Sequence, residues 1–314
     1  TGDYQVSGGE DGTYIYIGED GKIEGSIKNA SSTSPGHVDI QYNGTYNTGD
    51  FGTTFGESDS YLDYVLVAKS VNGDTQLTIS NDFYSNNIYL ENSTLQLDQN
   101  VDIGNISIHN GALDKKGTST IIINTDYDQN TTFGYYQQDL VKNVSIYKIE
   151  ITDGSSLTLN NYAYVDNMVL DSDNSTITIN DNGKIIGNII GATSGSGTVV
   201  INTDYDQGDT KFGTESNRLG TIQINNSKNL TIKATDGYEN NVYANNLKLA
   251  DTDSSLTIGD NGKIFGTISG TGKVIIDTNY SGGSDTIFGT STATIGSMEI
   301  ISGNSVSLTN ESYI

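Results

Sequence analysis

An all-β solenoid, a chain wound into stacked parallel coils, is the fold class this sequence predicts, and three observations predict it. The first is a phrase that recurs. Ile123-Asn-Thr-Asp-Tyr-Asp-Gln-Asn-Thr-Thr-Phe-Gly134 returns, one residue longer, from Ile201 to Gly213, again in part from Ile276 to Gly289, and faintly from Val38 to Gly56. Its Phe-Gly pairs begin at 55, 133, 212 and 288, steps of 78, 79 and 76 residues. The second is an independent anchor in the same rhythm. Gly-Lys-Ile ends at Ile23, Ile185 and Ile264, with a degenerate copy at Val101-Asp-Ile103. Two anchors in step mean tandem duplication, and tandem duplication means a repeat architecture. The third is that almost every apolar string has period two, as in Thr13-Tyr-Ile-Tyr-Ile17, Gln76-Leu-Thr-Ile79, Ser156-Leu-Thr-Leu159 and Thr176-Ile-Thr-Ile179. Alternation sends Leu and Ile to one face of a strand and Thr, Ser and Gln to the other.

The elements follow in order. Each string is short and bounded by Asn, Asp and Gly, residues that tolerate tight turns and left-handed backbone. Strings of this kind stack as rungs about 4.8 Å apart. The 78-residue unit would then hold roughly three or four rungs and the chain roughly thirteen to fifteen. The expected organisation is one solenoid over residues 1–314, with copies at about 13–92, 93–174, 175–253 and 254–314. A string of antiparallel sandwiches would want linkers between copies, and strands run across every boundary. A propeller blade rarely needs so many residues. Val306-Ser-Leu-Thr-Asn310 aligns with the string at 155–159, so the chain is expected to stop partway through its unit, as a segment truncated from a longer protein.

Composition excludes several functions. The chain has 314 residues, 34% hydrophobic, with 39 acids against 15 Lys and Arg, and a net charge of -24. Nothing in that balance neutralises phosphates, so nucleic acid is a poor partner. There is no cysteine, which argues against a disulfide-stapled module. No apolar run approaches membrane-spanning length, so no membrane span is expected in this segment.

Three motifs could carry function. Asn182-Gly183 and Asn261-Gly262 read as turns taking positive φ, with Lys184 and Lys263 shielding a strand edge. The acids of Asp126-Tyr127-Asp128 and Asp204-Tyr205-Asp206 point together in an extended segment, with the tyrosine opposite. Such oxygen pairs read either as calcium ligands or as Asx-turns with solvated carboxylates. Tyr127, Tyr205, Tyr135 and Tyr136 are candidates for a ligand-binding or self-association surface, since Tyr offers a flat apolar face and a polar tip. Phe55, Phe133, Phe212 and Phe288 read as an internal ladder. Catalysis has little to stand on. His37 and His109 fall at unrelated places, no nucleophile motif is present, and the acids recur with the repeat, as structural or multivalent residues do. A tailspike-like polysaccharide hydrolase is the enzymatic alternative.

The cysteine-free, Asn/Thr/Gly-rich tandem strands, with phrases such as Gly208-Asp-Thr-Lys-Phe-Gly213 and Ser255-Leu-Thr-Ile-Gly-Asp-Asn-Gly-Lys-Ile264, resemble the passenger domains of Gram-negative autotransporter adhesins. The pertactin-like and self-associating, diffuse-adherence types are the most similar. The resemblance implies a right-handed parallel β-helix displayed at the outer membrane and used in adhesion, aggregation or biofilm growth. Implied partners are a host-cell or bacterial surface protein or glycan, or a second copy of the chain. Two bodies of charge -24 repel unless salt or divalent cations screen them. A stalk that only spaces another domain is the structural alternative.

Overall fold

The alternating strings become short parallel strands in the computed structural model, which describes residues 4–6, 14–29, 36–109, 118–137, 142–233 and 240–314. Ser156–Leu159, Thr176–Ile179 and Ser255–Ile258 each alternate half-buried with buried, as their sequence dictates. The one helix among the described residues is the single turn Thr48–Phe51. The chain divides into two compact units, Thr1–Asn167 and Met168–Ile314, and each is a β-solenoid. Together they make about 12 turns. That is fewer than expected, because some turns carry excursions such as the helical turn and the antiparallel hairpin of Tyr135–Gln137 with Lys142–Val144.

Turns pair in register, so apolar side chains stack in columns. In the second unit, one turn runs through three strands, Ser196–Ile201, Tyr205–Asp206 and Thr210–Phe212, before Leu219–Ile224 pairs back onto the first. One column reads Val199, Ile222, Leu247, Ile268, Phe288. The next side reads Tyr205, Leu230, Leu256, Val274, Met298. Val199 and Val274 hold the same place in the repeated phrase, yet Val274 lies in the column that Tyr205 begins. The first unit does the same: Ile121, the counterpart of Val38, stacks in the column of Tyr46, Leu77 and Leu95. Within each unit the sequence repeat is therefore three turns plus one side, and the later copy is rotated onto the next side of that unit's coil.

The two anchors of the repeat are bonded to each other. Tyr46, Tyr127, Tyr205 and Tyr280 are buried, and their phenol oxygens lie 2.6–3.2 Å from the hydroxyls of Thr53, Thr131, Thr210 and Thr286. Each threonine donates to the carbonyl of Ile23, Ile103, Ile185 or Ile264, the last residue of the second anchor. Burial pushes all four phenols above their ordinary range. Burying a hydroxyl costs free energy unless it is paired, and the threonine supplies the pair.

Phe55, Phe133, Phe212 and Phe288 are internal as expected, each at most 1% exposed, but they form no common ladder: Phe133 stacks between Ile106 and Ala163, Phe212 between Ile189 and Val242, and Phe288 on Ile268. The following glycines turn with φ of 69–70° and donate to the carbonyls of Ile27, Ile106, Ile189 and Ile268 at 2.7–2.8 Å. A Cβ on them would fall 2.1–2.7 Å from the carbonyl oxygens of Tyr84, Tyr164, Tyr243 and Tyr313. Only glycine fits both the turn and the approach. In the Asn-Gly corners the division of labour differs from expectation. Asn182 and Asn261 take the positive φ, at 71° and 54°, and the glycines after them do not. Gly262 is needed for space, since a Cβ there would lie 2.5 Å from Ile232 O. Lys184 does not guard an edge. Its Nζ donates to Asp206 O at 2.6 Å and lies 4.9 Å from the centre of the Tyr205 ring.

Candidate functional site

The repeated acids point outward and are occupied singly. Asp126 accepts from Ser156 Oγ at 2.7 Å, Asp128 from Asn100 Nδ2, and Asp204 from the Asn229 backbone N–H at 2.9 Å. Asp206 pairs with Lys233 Nζ at 2.8 Å on the surface. Each thus ties one turn to a neighbouring one. Among the described residues no group of three His, Cys, Asp or Glu side chains could hold a metal ion. Tyr127 and Tyr205 are 0% and 3% exposed, which overturns the expectation that they form a binding surface. Period two separates tyrosine from acid correctly but does not say which goes in. The threonine four or five residues later decides it, by receiving the phenol inside. Tyr135 is half-buried, and the side chain of Tyr136 lies outside the described residues.

What gathers functional side chains is the outer face of the first unit. Tyr14–Ile17, His37–Ile40, Leu62–Ala68, Tyr84–Glu91 and Asp102–Ile108 lie side by side in register. Their outward residues make two rows, Tyr14, His37, Tyr64, Asn87, Asn105 and Tyr16, Asp39, Leu66, Tyr89, Ser107. His37 is sandwiched between Tyr14 and Tyr64, with ring centres 5.2 and 4.2 Å away and planes within 15°. Tyr64 meets Tyr89 edge-on at 5.5 Å, and Tyr89 lies 6.0 Å from His109. Both histidines of the chain therefore stand on one strip, although the sequence placed them at unrelated positions.

Beyond Tyr64 the strip sinks into a groove of about 570 Å³, lined chiefly by Tyr64, Tyr89, Tyr135, His109, Asn87 and Asn105. Asn105 Nδ2 donates to Asn87 Oδ1 at 3.2 Å, and Asn87 Nδ2 donates to Asp63 O at 3.1 Å, which fixes both amides. The arrangement offers ring faces, amides and a hydroxyl at strand spacing, the means of holding a ligand. The corresponding side of the second unit shows Thr198, Thr221, Asn246 and Thr267 in one row and Val200, Gln223, Lys248 and Ser269 in the other, with no aromatic ring. Outward rings of the second unit stand on another side, where Tyr243 stacks on Phe265 at 4.5 Å.

Asp39 sits inside this strip with Oδ1 buried and unbonded. Burial raises its carboxyl above the ordinary value of 3.8, against a smaller opposing pull from His37 and His109. A raised carboxyl binds its proton more tightly folded than unfolded, so it subtracts stability as pH rises through and above that window. Asp39→Asn is therefore expected to melt higher than the parent at pH 7, with the gap shrinking towards pH 4. Thermal melts of both proteins across that range check it, since the difference between them cancels the other carboxylates. A gap that is constant with pH would show that the buried oxygen costs nothing.

The strip could have been found from sequence only by noticing that Tyr14, Tyr16, His37, Tyr64 and Tyr89 all occupy the outward phase of their strings. Compared with protein-family models, with curated proteins and with solved structures, the chain matches none.

Proposed function

We propose that the chain is a binding segment of a bacterial surface adhesin, of the kind displayed at a Gram-negative outer membrane, with the aromatic strip of its first unit as the adhesive face. The observation that carries this reading is the unbroken run of ring contacts from Tyr14 through His37, Tyr64 and Tyr89 to His109 on one face of the first unit. The recurring residues are spent on structure: the Phe, the Tyr–Thr pair and the glycines all serve the core, and the acids tie turns together. Because the two copies within a unit are rotated by one side, no side of a unit collects both, so the repeats supply length and the strip supplies recognition. A cysteine-free, acidic solenoid built on that plan suits an exported surface segment. No helix among the described residues is long and apolar enough to cross a membrane. Ring faces and amides hold a partner rather than transform it, which favours adhesion over hydrolysis.

The test is retention of beads coated with the chain on epithelial and bacterial cells. The double variant Tyr64→Ala, Tyr89→Ala is expected to lower retention about fivefold or more, as removal of central aromatic anchors does, with unchanged circular dichroism. Retention equal to the parent's would leave the chain a spacer.

A further inference from the structure

We infer that the groove beside Tyr64 and Tyr89 is a subsite for an uncharged glycan, an inference that rests on the reading of the strip as a binding face. Four observations select this ligand class. The floor is the middle of a sheet: Tyr84–Glu91 is bonded to Leu62–Ala68 on one side and Asp102–Ile108 on the other. That strand has no open edge, so an extended peptide cannot add itself to it through its main chain. The lining includes one aliphatic side chain, Ile108, and so lacks the row of apolar pockets into which an amphipathic helix sets its anchors. The remainder is three tyrosine rings, a histidine, two amides and hydroxyls. Such a surface matches a pyranose, whose C–H face lies against an aromatic ring while its hydroxyls bond amides.

The amides are already oriented. Asn105 uses one N–H on Asn87 and leaves its oxygen to accept from a ligand hydroxyl. The fourth observation is charge. No lysine or arginine lines the groove, and carboxylates stand close to its walls: Glu91, 3.7 Å from His109 Nδ1, Asp63, whose carbonyl holds Asn87, and Asp39 in the adjoining row. A carboxylated or sulfated sugar would bring an unpaired negative charge to a body that already carries -24. Uncharged sugars meet no such penalty.

Calorimetric titration of the full chain with maltohexaose, chitohexaose and hexagalacturonate tests the inference. At least one of the two uncharged hexamers is expected to bind and the uronate to bind at least about tenfold more weakly. Tyr89→Ala should weaken the uncharged hexamer about tenfold and Asn105→Ala about threefold. Tyr162→Ala, an exposed tyrosine outside the lining, should leave it unchanged. Failure of both uncharged hexamers, preference for the uronate, or binding indifferent to Tyr89 and Asn105 each overturns the inference. If the groove variants lose cell retention while no uncharged hexamer binds, the partner is a protein surface and only the glycan assignment falls. If retention is intact in those variants, the adhesive reading itself falls.

Discussion

Gly213→Ala is expected to destabilise the second unit by about 3–5 kcal/mol, whereas Gly283→Ala, in the same unit, costs about 1–2 kcal/mol. Both residues hold left-handed backbone, with φ of 70° and 61°, so the conformational strain of adding a side chain is the same for both. Their surroundings differ. A Cβ at Gly213 would lie 2.1 Å from Tyr243 O, main chain of the following turn, while a Cβ at Gly283 meets nothing within 4 Å. Main chain held in a ladder cannot swing aside as a lysine tip can. The variant must therefore open the spacing between two turns, and in a coil whose turns contact only their neighbours that loss is not shared elsewhere. It also threatens the 2.7 Å bond from Gly213 N–H to Ile189 O. Urea unfolding of the two variants beside the parent separates strain from collision by the shift in midpoint. Equal losses would mean that the turn geometry alone demands glycine and that the approach of Tyr243 is relaxed at no cost.

The same contrast separates what alternation in the sequence dictates from what only the winding of the coil decides. Inward and outward faces of Ser156–Leu159 or Ser255–Ile258 follow from alternation alone, because a period of two leaves no other choice once Leu and Ile must be buried. The repeat length was equally plain, yet its relation to the turn was not. Val199 and Val274 look interchangeable in the sequence, and only pairing shows the second displaced by one side. Tyr205 lies inside although alternation leaves its side open, because amphipathic residues carry no fixed sign. A tyrosine goes in wherever a hydroxyl such as that of Thr210 waits for it. The strip was hidden for a related reason. His37 and Tyr64 are 27 residues apart and stack at 4.2 Å, and nothing local sets the register between successive turns. The corners set it, and their lengths vary. Function that depends on rows running across strands is therefore legible only after the coil is wound, while function carried by a local motif would have shown at once.

Thr210→Val should cost about 2–4 kcal/mol, although it exchanges one branched side chain for another of nearly the same shape. The hydroxyl closes a ring of three hydrogen bonds. Thr210 Oγ1 donates to Ile185 O at 2.5 Å, so it must accept from the Tyr205 phenol at 2.7 Å, and the phenol oxygen in turn accepts from Ile185 N–H at 3.1 Å. Every proton in the ring has one destination, and the Thr210 and Tyr205 side chains are both buried. Valine leaves the Ile185 carbonyl without its donor and the phenol proton without its acceptor, two buried groups paying desolvation with no return. Tyr205→Phe removes a different member: the threonine keeps the carbonyl, and only the Ile185 N–H is stranded, so a smaller loss of about 1–2 kcal/mol is expected. Once the phenol is gone, valine at 210 strands only the carbonyl. The double variant should therefore be less destabilised than the sum of the singles, by about 1 kcal/mol. Urea midpoints for the four proteins give the coupling directly. Strict additivity would mean that the three bonds act separately, and that the pairing of tyrosine with threonine in every copy of the repeat reflects two independent requirements. Coupling of the expected size makes the tyrosine–threonine pair the clamp by which each copy fastens its two anchors together, so the anchors recur together while the residues of the outer face are free to differ.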